Sequence, residues 1–184
     1  MKSINKTILT RRSIRSYTEK KPTKEEILTI LEAGNSAPSG CNVQSWYFNV
    51  VSNKELLDEI NFKTKKLMKD SDNPAIANKG NNPNYHIFFD APFVVFVSYL
   101  ENSVTPIEDI SAATQNMLLQ GEELGIGGCW NGNVTALLNS DKDIITKLNI
   151  PDGYKAHHAV SFGYTKVKPK IGPLKNKKYF EFIY

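Results

Sequence analysis

Cysteine is scarce in this 184-residue sequence: Cys41 and Cys129 stand alone, and no C-x-x-C spacing occurs. This excludes a disulfide framework and a cysteine-based metal site and favours a reducing compartment, so we expect a cytoplasmic protein. Long apolar runs are also missing, since the best candidate, residues 91–100, falls short of the ~18 residues that cross a bilayer. The basic N-terminus lacks an apolar signal core, and we therefore expect neither export nor a membrane partner.

Histidine is scarce as well, and His86, His157 and His158 form no recognisable catalytic pattern. His157 and His158 are adjacent, so in a strand they are expected to face opposite ways and not to share a site. No nucleophile–base pair and no carboxylate–histidine spacing typical of a metal site is present. We therefore predict no catalytic side chain and no metal, and an enzyme whose reactive group belongs to a cofactor.

The formal net charge of +4 is unevenly distributed along the chain. Residues 1–24 hold eight Lys or Arg and one acid, and residues 164–184 hold six Lys and one acid. The two ends together therefore carry +12 and the middle carries −8. This split indicates either an anionic partner near the termini or two solvated basic tails, and composition does not separate nucleic acid, lipid and a phosphate cofactor.

Apolar periodicity and capping residues predict a single domain over residues 1–184, without repeats or an internal linker. A capping box, Thr23 with Glu26, opens a helix that Gly34 ends. Further helices are expected to start at Asn53, at Glu108 or Asp109, and at Ser140, and strands are expected at 46–51, 91–100 and 156–162. This order favours an α/β or α+β fold with a small sheet covered by helices.

Residues 70–84 are polar, contain Pro74, Gly80 and Pro83, and are predicted to form a long loop. Such loops are often lids or binding segments. A mobile surface excursion is an equally good interpretation.

The first candidate binding motif is Arg11-Arg12-Ser13-Ile14-Arg15, at the end of a predicted helix. Guanidinium groups grip phosphate through paired hydrogen bonds, and a hydroxyl beside them completes an oxyanion cradle. Cations at a helix C-terminus also offset the helix dipole, so the motif alone does not decide between binding and structure.

Two further motifs lie next to predicted strands. Residues 36–46, SAPSGCNVQSW, are dense in small and amide side chains and suit a polar ring edge better than a bare phosphate, or they are a plain connecting loop. Residues 125–133, GIGGCWNGN, follow a helix and match neither a dinucleotide fingerprint nor a P-loop. Their glycines are expected to let backbone approach a flat ligand or turn a corner.

Taken together and in order, these segments resemble the FMN-dependent nitroreductase family. The resemblance runs from 11–17 (RRSIRSY) through 37–44 (APSGCNVQ) and 90–92 (DAP) to Gln115-Asn116, 125–130 (GIGGCW) and 162–164 (FGY) with its Lys-rich tail. It implies an α+β subunit of three layers, with a small mixed or antiparallel sheet flanked by helices. It also implies an intertwined homodimer with FMN at the interface.

The resemblance also implies roles for particular residues. Arg11 and Ser13 would meet the FMN phosphate, Arg15 the pyrimidine side of the ring, and Asn84 the ring edge. The loop of residues 38–42 would come from the partner subunit, and backbone at 130–133 would face the flavin N5. The implied cofactor-binding set is Arg11, Arg12, Ser13, Arg15, Pro38, Ser39, Gly40, Asn42, Asn84, Trp130, Gly132, Asn133, Lys168 and Lys170.

Three departures from the family pattern stand out. Ser45 replaces the usual proline before Trp46, so a less rigid loop is expected. Lysines replace arginines in the tail, and they define phosphate geometry less well. The segment from Leu100 to Glu108 is short, which removes an insertion that often covers the substrate pocket.

The activity that the resemblance implies is two-stroke exchange. NADH or NADPH would deliver hydride to flavin N5, and a nitroaromatic, quinone or similar small acceptor would then take the same place. A flavin-binding sensor or storage protein without turnover is an alternative, and flavin-dependent dehalogenation or dehydrogenation is a related one. A nucleic-acid-binding module is disfavoured, because the basic residues are not interleaved with aromatics along one element.

Overall fold

The most apolar run of the chain lies in the middle of the sheet. The computed structural model describes residues 3–165, 167 and 181–183. In it, β2 (Phe93–Leu100) pairs antiparallel with β1 (Trp46–Val51) and with β4 (Tyr154–Tyr164), and β3 (Ile126–Asn131) pairs antiparallel with the far side of β4. The strand order is β1-β2-β4-β3. As predicted, β2 is buried on both faces, because its alternating side chains enter two separate apolar clusters.

Helices cover both faces of the sheet. Helices α2 (Lys24–Asn35) and α5 (Pro106–Leu124) pack on one face, and α3 (Lys54–Lys69), α6 (Thr135–Ser140) and α7 (Lys142–Lys147) pack on the other. Helix α1 (Ile4–Thr10) contacts α5, and α4 (Pro74–Asn81) contacts α3. The predicted three-layer α+β fold is therefore confirmed. None of the helices within the described residues has the length and apolarity needed to cross a bilayer.

Local capping signals place two of these helices where the sequence predicts them. The Thr23 hydroxyl accepts from the Glu26 N–H at 3.2 Å, and the Glu26 carboxylate accepts from the Thr23 N–H at 2.8 Å. The Asn53 side chain likewise accepts from the Leu56 N–H at 3.0 Å and starts α3. Both signals act within one helical turn, so they can be read without knowledge of the tertiary fold.

The prediction of a long loop at 70–84 is wrong in its centre, which forms α4. Asn73 caps this helix by accepting from the Ala75 N–H at 3.0 Å, and Pro74 occupies the first turn, where its missing N–H costs nothing. Gly80 lies directly on α3, because a Cβ there would stand 2.7 Å from the Lys69 backbone nitrogen. Pro74 therefore starts this short helix, and Gly80 allows it to pack closely on α3.

The glycine-rich segment after α5 is also different from the prediction, since residues 126–131 form the edge strand β3. Its glycines allow close approach of the protein's own side chains. A Cβ on Gly127 would stand 2.5 Å from Ile14 Cγ1, and one on Gly128 would stand 2.6 Å from Leu118 Cδ2. Gly125, with φ of 76°, ends α5 as predicted.

The predicted separation of His157 and His158 is wrong because β4 contains a bulge. The pairing register shifts between Val97 and Ser98 of β2, so His157 on β4 has no paired residue on β2. The two imidazoles consequently meet, with Nδ1 atoms 3.0 Å apart. The capping prediction at Ser140 is wrong as well: Ser140 ends α6, and Asp141 caps α7 by accepting from the Ile144 N–H.

Candidate cofactor site

The basic segment 11–15 follows α1 and lies along the edge strand β3. Ser13 forms a parallel bridge with Gly128, and the Ile14 N–H donates to the Gly128 carbonyl at 3.0 Å. The Ile14 side chain is buried against Gly127, whereas Ser13 and Arg15 are exposed. The extended backbone therefore turns Ser13 and Arg15 away from the core.

Three polar groups of this segment surround the thiol of Cys129 on β3. Burial raises the pKa of Cys129, and Arg15, Arg11 and the Ser13 hydroxyl act against that rise. The ion pairs within the described part of the chain are formed by lysines and His86, and none includes Arg11 or Arg15. Two guanidiniums that form no ion pair with a described carboxylate, beside a hydroxyl, form an electropositive cradle suited to phosphate.

Arg12 is placed differently from its neighbours. Its Nη1 donates to the carbonyl of Leu9 at 2.8 Å and to that of Arg11 at 2.8 Å. The side chain thus satisfies carbonyls at the C-terminal end of α1, which is the structural role open to a cation at that position. Its binding role remains a prediction.

Aromatic residues form a wall beside Arg15. The Arg15 guanidinium carbon lies 5.9 Å from the centroid of the Phe89 ring, and Tyr85 meets Phe89 edge to face with centroids 5.9 Å apart. Asn133 Nδ2 donates to the Tyr85 hydroxyl at 3.3 Å. Burial raises the pKa of Tyr85, so this hydroxyl is protonated at neutral pH. The wall therefore joins the basic segment to the turn after β3.

The turn after β3 leaves room for a flat ligand. Gly132 is exposed, and a Cβ placed on it would meet no atom of the described residues within 4 Å. The Trp130 side chain turns to the α5 side of the sheet and stacks on His158, with centroids 4.5 Å apart and planes 26° apart. Asn84 is exposed, and its backbone N–H donates to the Asn82 side chain at 2.9 Å.

The predicted loop of residues 38–42 lies at the opposite edge of the sheet. It leads into β1, whereas the basic segment lies on β3, and these are the two outer strands. Its hydrogen bonds within the described residues go to its own neighbours and to the start of α5, where the Gly40 N–H donates to Asp109 at 3.0 Å and to Thr105 at 3.1 Å. One chain therefore does not bring Pro38, Ser39, Gly40 and Asn42 to the cradle.

Ser45, where the resemblance leads us to expect proline, has a bonded partner. Its buried hydroxyl donates to the Asp109 carboxylate at 2.7 Å, so a hydrogen bond to α5 holds the end of the loop. Lys168 and Lys170, predicted to close on the phosphate, lie outside the described residues.

The donor set at the β3 edge fits FMN. Arg11 and Ser13 suit its phosphate, and Arg15 suits a ring that gains negative charge on reduction. The exposed Gly132 has open space above its Cα, as close approach of a planar ring requires. Asn133 and Tyr85 provide polar groups at the rim of this space.

Comparison with known proteins identifies the family. The sequence profile described as "Nitroreductase family" matches residues 8–164. The chain belongs to the nitroreductase family. A relative from Archaeoglobus fulgidus, provisionally named NADH dehydrogenase/NAD(P)H nitroreductase, is 32% identical over 168 residues, which cover 90% of this chain and 87% of the relative.

Solved structures of nitroreductases share the whole fold. A nitroreductase with bound FMN from Bacteroides fragilis superposes with a TM-score of 0.80 at 30% identity, covering 98% of this chain and 96% of that one. A second, with bound FMN from Desulfitobacterium hafniense, gives a TM-score of 0.85 at 26% identity, covering 98% of this chain and 100% of that one. The likeness of this nitroreductase-family protein to them therefore extends over essentially the full chain.

Sequence reasoning missed the residues that complete the β3 edge. Tyr85 adjoins the predicted Asn84, and its aromatic character next to Phe88-Phe89 was the available signal. Phe89 and Asp90 both have positive φ, 57° and 55°. This conformation is uncommon for a phenylalanine, so it could not be predicted from the sequence. Cys129 offered no signal as a lone thiol, because only the fold brings it beside the guanidiniums.

Proposed function

We propose that this chain is an FMN-dependent NAD(P)H oxidoreductase that reduces a small acceptor such as a nitroaromatic or a quinone. The observation that carries the proposal is the cradle of Arg11, Ser13 and Arg15 beside the open backbone at Gly132. Bound FMN in the Bacteroides and Desulfitobacterium nitroreductases supports the cofactor, and the name of the Archaeoglobus relative supports the donor.

Each part of the chain has a separate task in this proposal. Arg11 and Ser13 hold the phosphate, and the resemblance gives Lys168 and Lys170 the same task. Arg15 lies at the pyrimidine side, where a fixed cation stabilises the negative charge that reduction places on the ring. When bound, FMN accepts a hydride from NAD(P)H and passes the electrons on to the acceptor. The backbone at Gly132 leaves space for the ring, and the N–H groups of Gly132 and Asn133 would be available to it.

The remaining binding residues come from a second copy of the chain. Ser39, Gly40 and Asn42 lie at the β1 edge. The Gly40 N–H is bonded to Asp109 and the Ser39 hydroxyl accepts from the Gln44 N–H, so the loop cannot reach the β3 edge of its own subunit without breaking these bonds. A homodimer in which each loop enters the other subunit's site completes both sites.

Multiple-turnover kinetics test the proposal. The FMN-loaded protein is mixed with NADH or NADPH in the presence of menadione or nitrofurazone, and oxidation of the nicotinamide is followed at 340 nm. We expect turnover with at least one donor and a parallel-line pattern, in which acceptor concentration changes apparent kcat and KM together. Reduction of the flavin without turnover on any acceptor would instead support a sensor or storage protein.

A further inference from the structure

A chain of buried and partly buried hydrogen bonds connects the two halves of the candidate site. Its centre is Ser161 on β4, which is fully buried. The Asn131 amide Nδ2 lies 3.0 Å from the Ser161 hydroxyl, and the Tyr17 hydroxyl lies 3.0 Å from the same atom. The Tyr17 hydroxyl also lies 2.9 Å from the Ile14 carbonyl.

The protons in this chain can be assigned. An amide NH₂ only donates, so the Ser161 oxygen accepts from Asn131 and has its own proton left to give to Tyr17. Tyr17 then gives its single proton to the Ile14 carbonyl, which is nearer than the Ser161 carbonyl at 3.2 Å. Burial raises the pKa of Tyr17 further above neutrality, so this proton stays in place. Every link is satisfied in one direction, from Asn131 to Ile14.

The two ends of the chain lie at different parts of the candidate site. Ile14 separates Ser13 from Arg15, and its N–H is held by Gly128, so both of its backbone polar groups are fixed. Asn131 directly precedes Gly132, and its Nδ2 also donates to the Cys129 carbonyl at 3.0 Å. Hydrogen bonds thereby link the segment proposed to bind the phosphate and the pyrimidine side, around Ile14, to the backbone proposed to face the ring, around Gly132.

We propose that Ser161 is a positioning residue whose hydroxyl, through Tyr17 and Ile14, holds Arg15 at the distance from the 130–133 backbone that favours reduced over oxidised flavin. This inference rests on the proposed function. Arg15 acts on a charge that is present only after reduction, so a shift in its position changes the binding of the two redox forms unequally. The Ser161 side chain itself contacts neither the phosphate nor the ring in this arrangement.

The chain supplies a matched control. Ser98 on the neighbouring strand β2 is equally buried, and its hydroxyl has no hydrogen-bond partner within the described residues. Ser161→Ala and Ser98→Ala therefore remove the same atom from the same sheet at the same burial, and only the first breaks the chain. Tyr17→Phe breaks the chain one link further on and retains the ring.

The measurement is the dissociation constant of each variant for oxidised FMN and, anaerobically after dithionite, for reduced FMN. Loss of one hydrogen bond is worth about 1 kcal/mol, which corresponds to about a fivefold change in a dissociation constant. Ser161→Ala should therefore weaken the binding of reduced FMN by up to about fivefold relative to oxidised FMN. Tyr17→Phe should give the same direction, and Ser98→Ala should leave the ratio unchanged. In the FMN-free protein, exchange of the Ile14 amide should accelerate in the first two variants only.

The outcomes separate the inference from the function on which it rests. If the wild-type protein binds no FMN, the proposed function fails. If it binds FMN but Ser161→Ala weakens both redox forms equally, the hydroxyl is merely structural and the inference is overturned. If Ser161→Ala does not fold, Tyr17→Phe decides, and a ratio equal to that of Ser98→Ala would overturn the inference.

Discussion

The Ser45 hydroxyl donates a 2.7 Å hydrogen bond to the carboxylate of Asp109, and this buried pair ties the loop before β1 to the first turn of α5. The other carboxylate oxygen accepts from the Thr105 hydroxyl at 2.8 Å and from the Gly40 N–H at 3.0 Å. The loop between these bonds holds Cys41, Asn42 and Gln44 at positive φ, a costly conformation that persists only where the surroundings enforce it. Asp109 is the group that enforces it.

Replacing Asp109 with asparagine should destabilise the protein in a pH-dependent way. Burial alone would raise the pKa of Asp109, but hydrogen bonds from Ser45, Gly40 and Thr105 lower it below its usual value. A lowered carboxyl pKa contributes stability above the unfolded pKa of ~3.9, and this contribution is lost as pH falls through the folded pKa. Asp109→Asn should therefore cost about 1–3 kcal/mol at pH 7, and the cost should shrink below pH ~4.

Urea unfolding of the wild type, Asp109→Asn and the exposed control Asp152→Asn between pH 3 and 7 checks this prediction. A cost that stays constant down to pH 3 would show that the charge of Asp109 does not matter.

Alanine at Gly127 and at Gly132 should have opposite effects. At Gly127 a Cβ would stand 2.5 Å from Ile14, so Gly127→Ala should push the basic segment off β3 and destabilise the protein by about 1–3 kcal/mol. At Gly132 a Cβ would meet no described residue within 4 Å, so Gly132→Ala should leave the thermal midpoint within about a degree or two. It should nevertheless weaken FMN binding. Thermal unfolding combined with FMN fluorescence titration measures both quantities, and unchanged FMN affinity in Gly132→Ala would remove that backbone from the site.

His158 should make the protein less stable in acid. Burial lowers the pKa of His158 to about 3, whereas a histidine in the unfolded chain titrates near ~6.5. Between these values the unfolded state binds a proton that the folded state excludes, so the free energy of unfolding falls as pH decreases, by up to about 1.4 kcal/mol per unit for one group. His158→Gln should reduce the slope of the free energy of unfolding against pH between about pH 6.5 and 4.

Thr114→Val is the control for His158, because it removes the hydroxyl 2.8 Å from His158 Nε2 and retains the titrating ring. Its slope should stay close to that of the wild type. Some slope should persist even in His158→Gln, since burial also lowers the pKa of His86 and His157. Equal slopes in His158→Gln and wild type would contradict the assignment.

The basic ends of the chain should differ in importance for the cofactor. Replacing Arg11 and Lys170 together by alanine should raise the dissociation constant of FMN by tenfold or more, because charge-assisted bonds to phosphate contribute about 1.5–3 kcal/mol each. Replacing Lys2 and Lys178 together removes the same charge and should have little effect. Isothermal titration at two salt concentrations measures both pairs. If the two double variants bind FMN alike, the charge asymmetry is unrelated to the phosphate.

The elements that could be predicted from the sequence are those specified within a few residues. The Thr23–Glu26 capping box and the continuous apolar run of β2 are local signals, and both are observed. Strand β3 was missed because its glycines have low strand propensity. They are explained by the close approach of Ile14, from the start of the chain, and of Leu118, from the packing of α5 on the sheet. The His157–His158 contact was missed because a bulge breaks the two-residue period on which the prediction depended.

The candidate site was predictable where residue chemistry is distinctive and unpredictable where geometry decides. Arginines beside a serine indicate a phosphate, and the order of the motifs indicates the family. That Arg12 folds back on Leu9 while Arg15 turns to Phe89 depends on how the segment leaves α1 and pairs with β3. The side-chain types of Tyr17 and Ser161 do not indicate a binding site. Both residues form hydrogen bonds between Asn131 and Ile14, and only the folded structure shows these bonds.

The visible spectrum of the purified protein during anaerobic titration with NADH and with NADPH tests the central claim most directly. The account predicts a yellow protein, or a colourless one that becomes yellow with one FMN per subunit, whose absorption near 450 nm bleaches with one equivalent of at least one donor. A protein that stays colourless after FMN is added, or a bound flavin that neither donor bleaches, would contradict it.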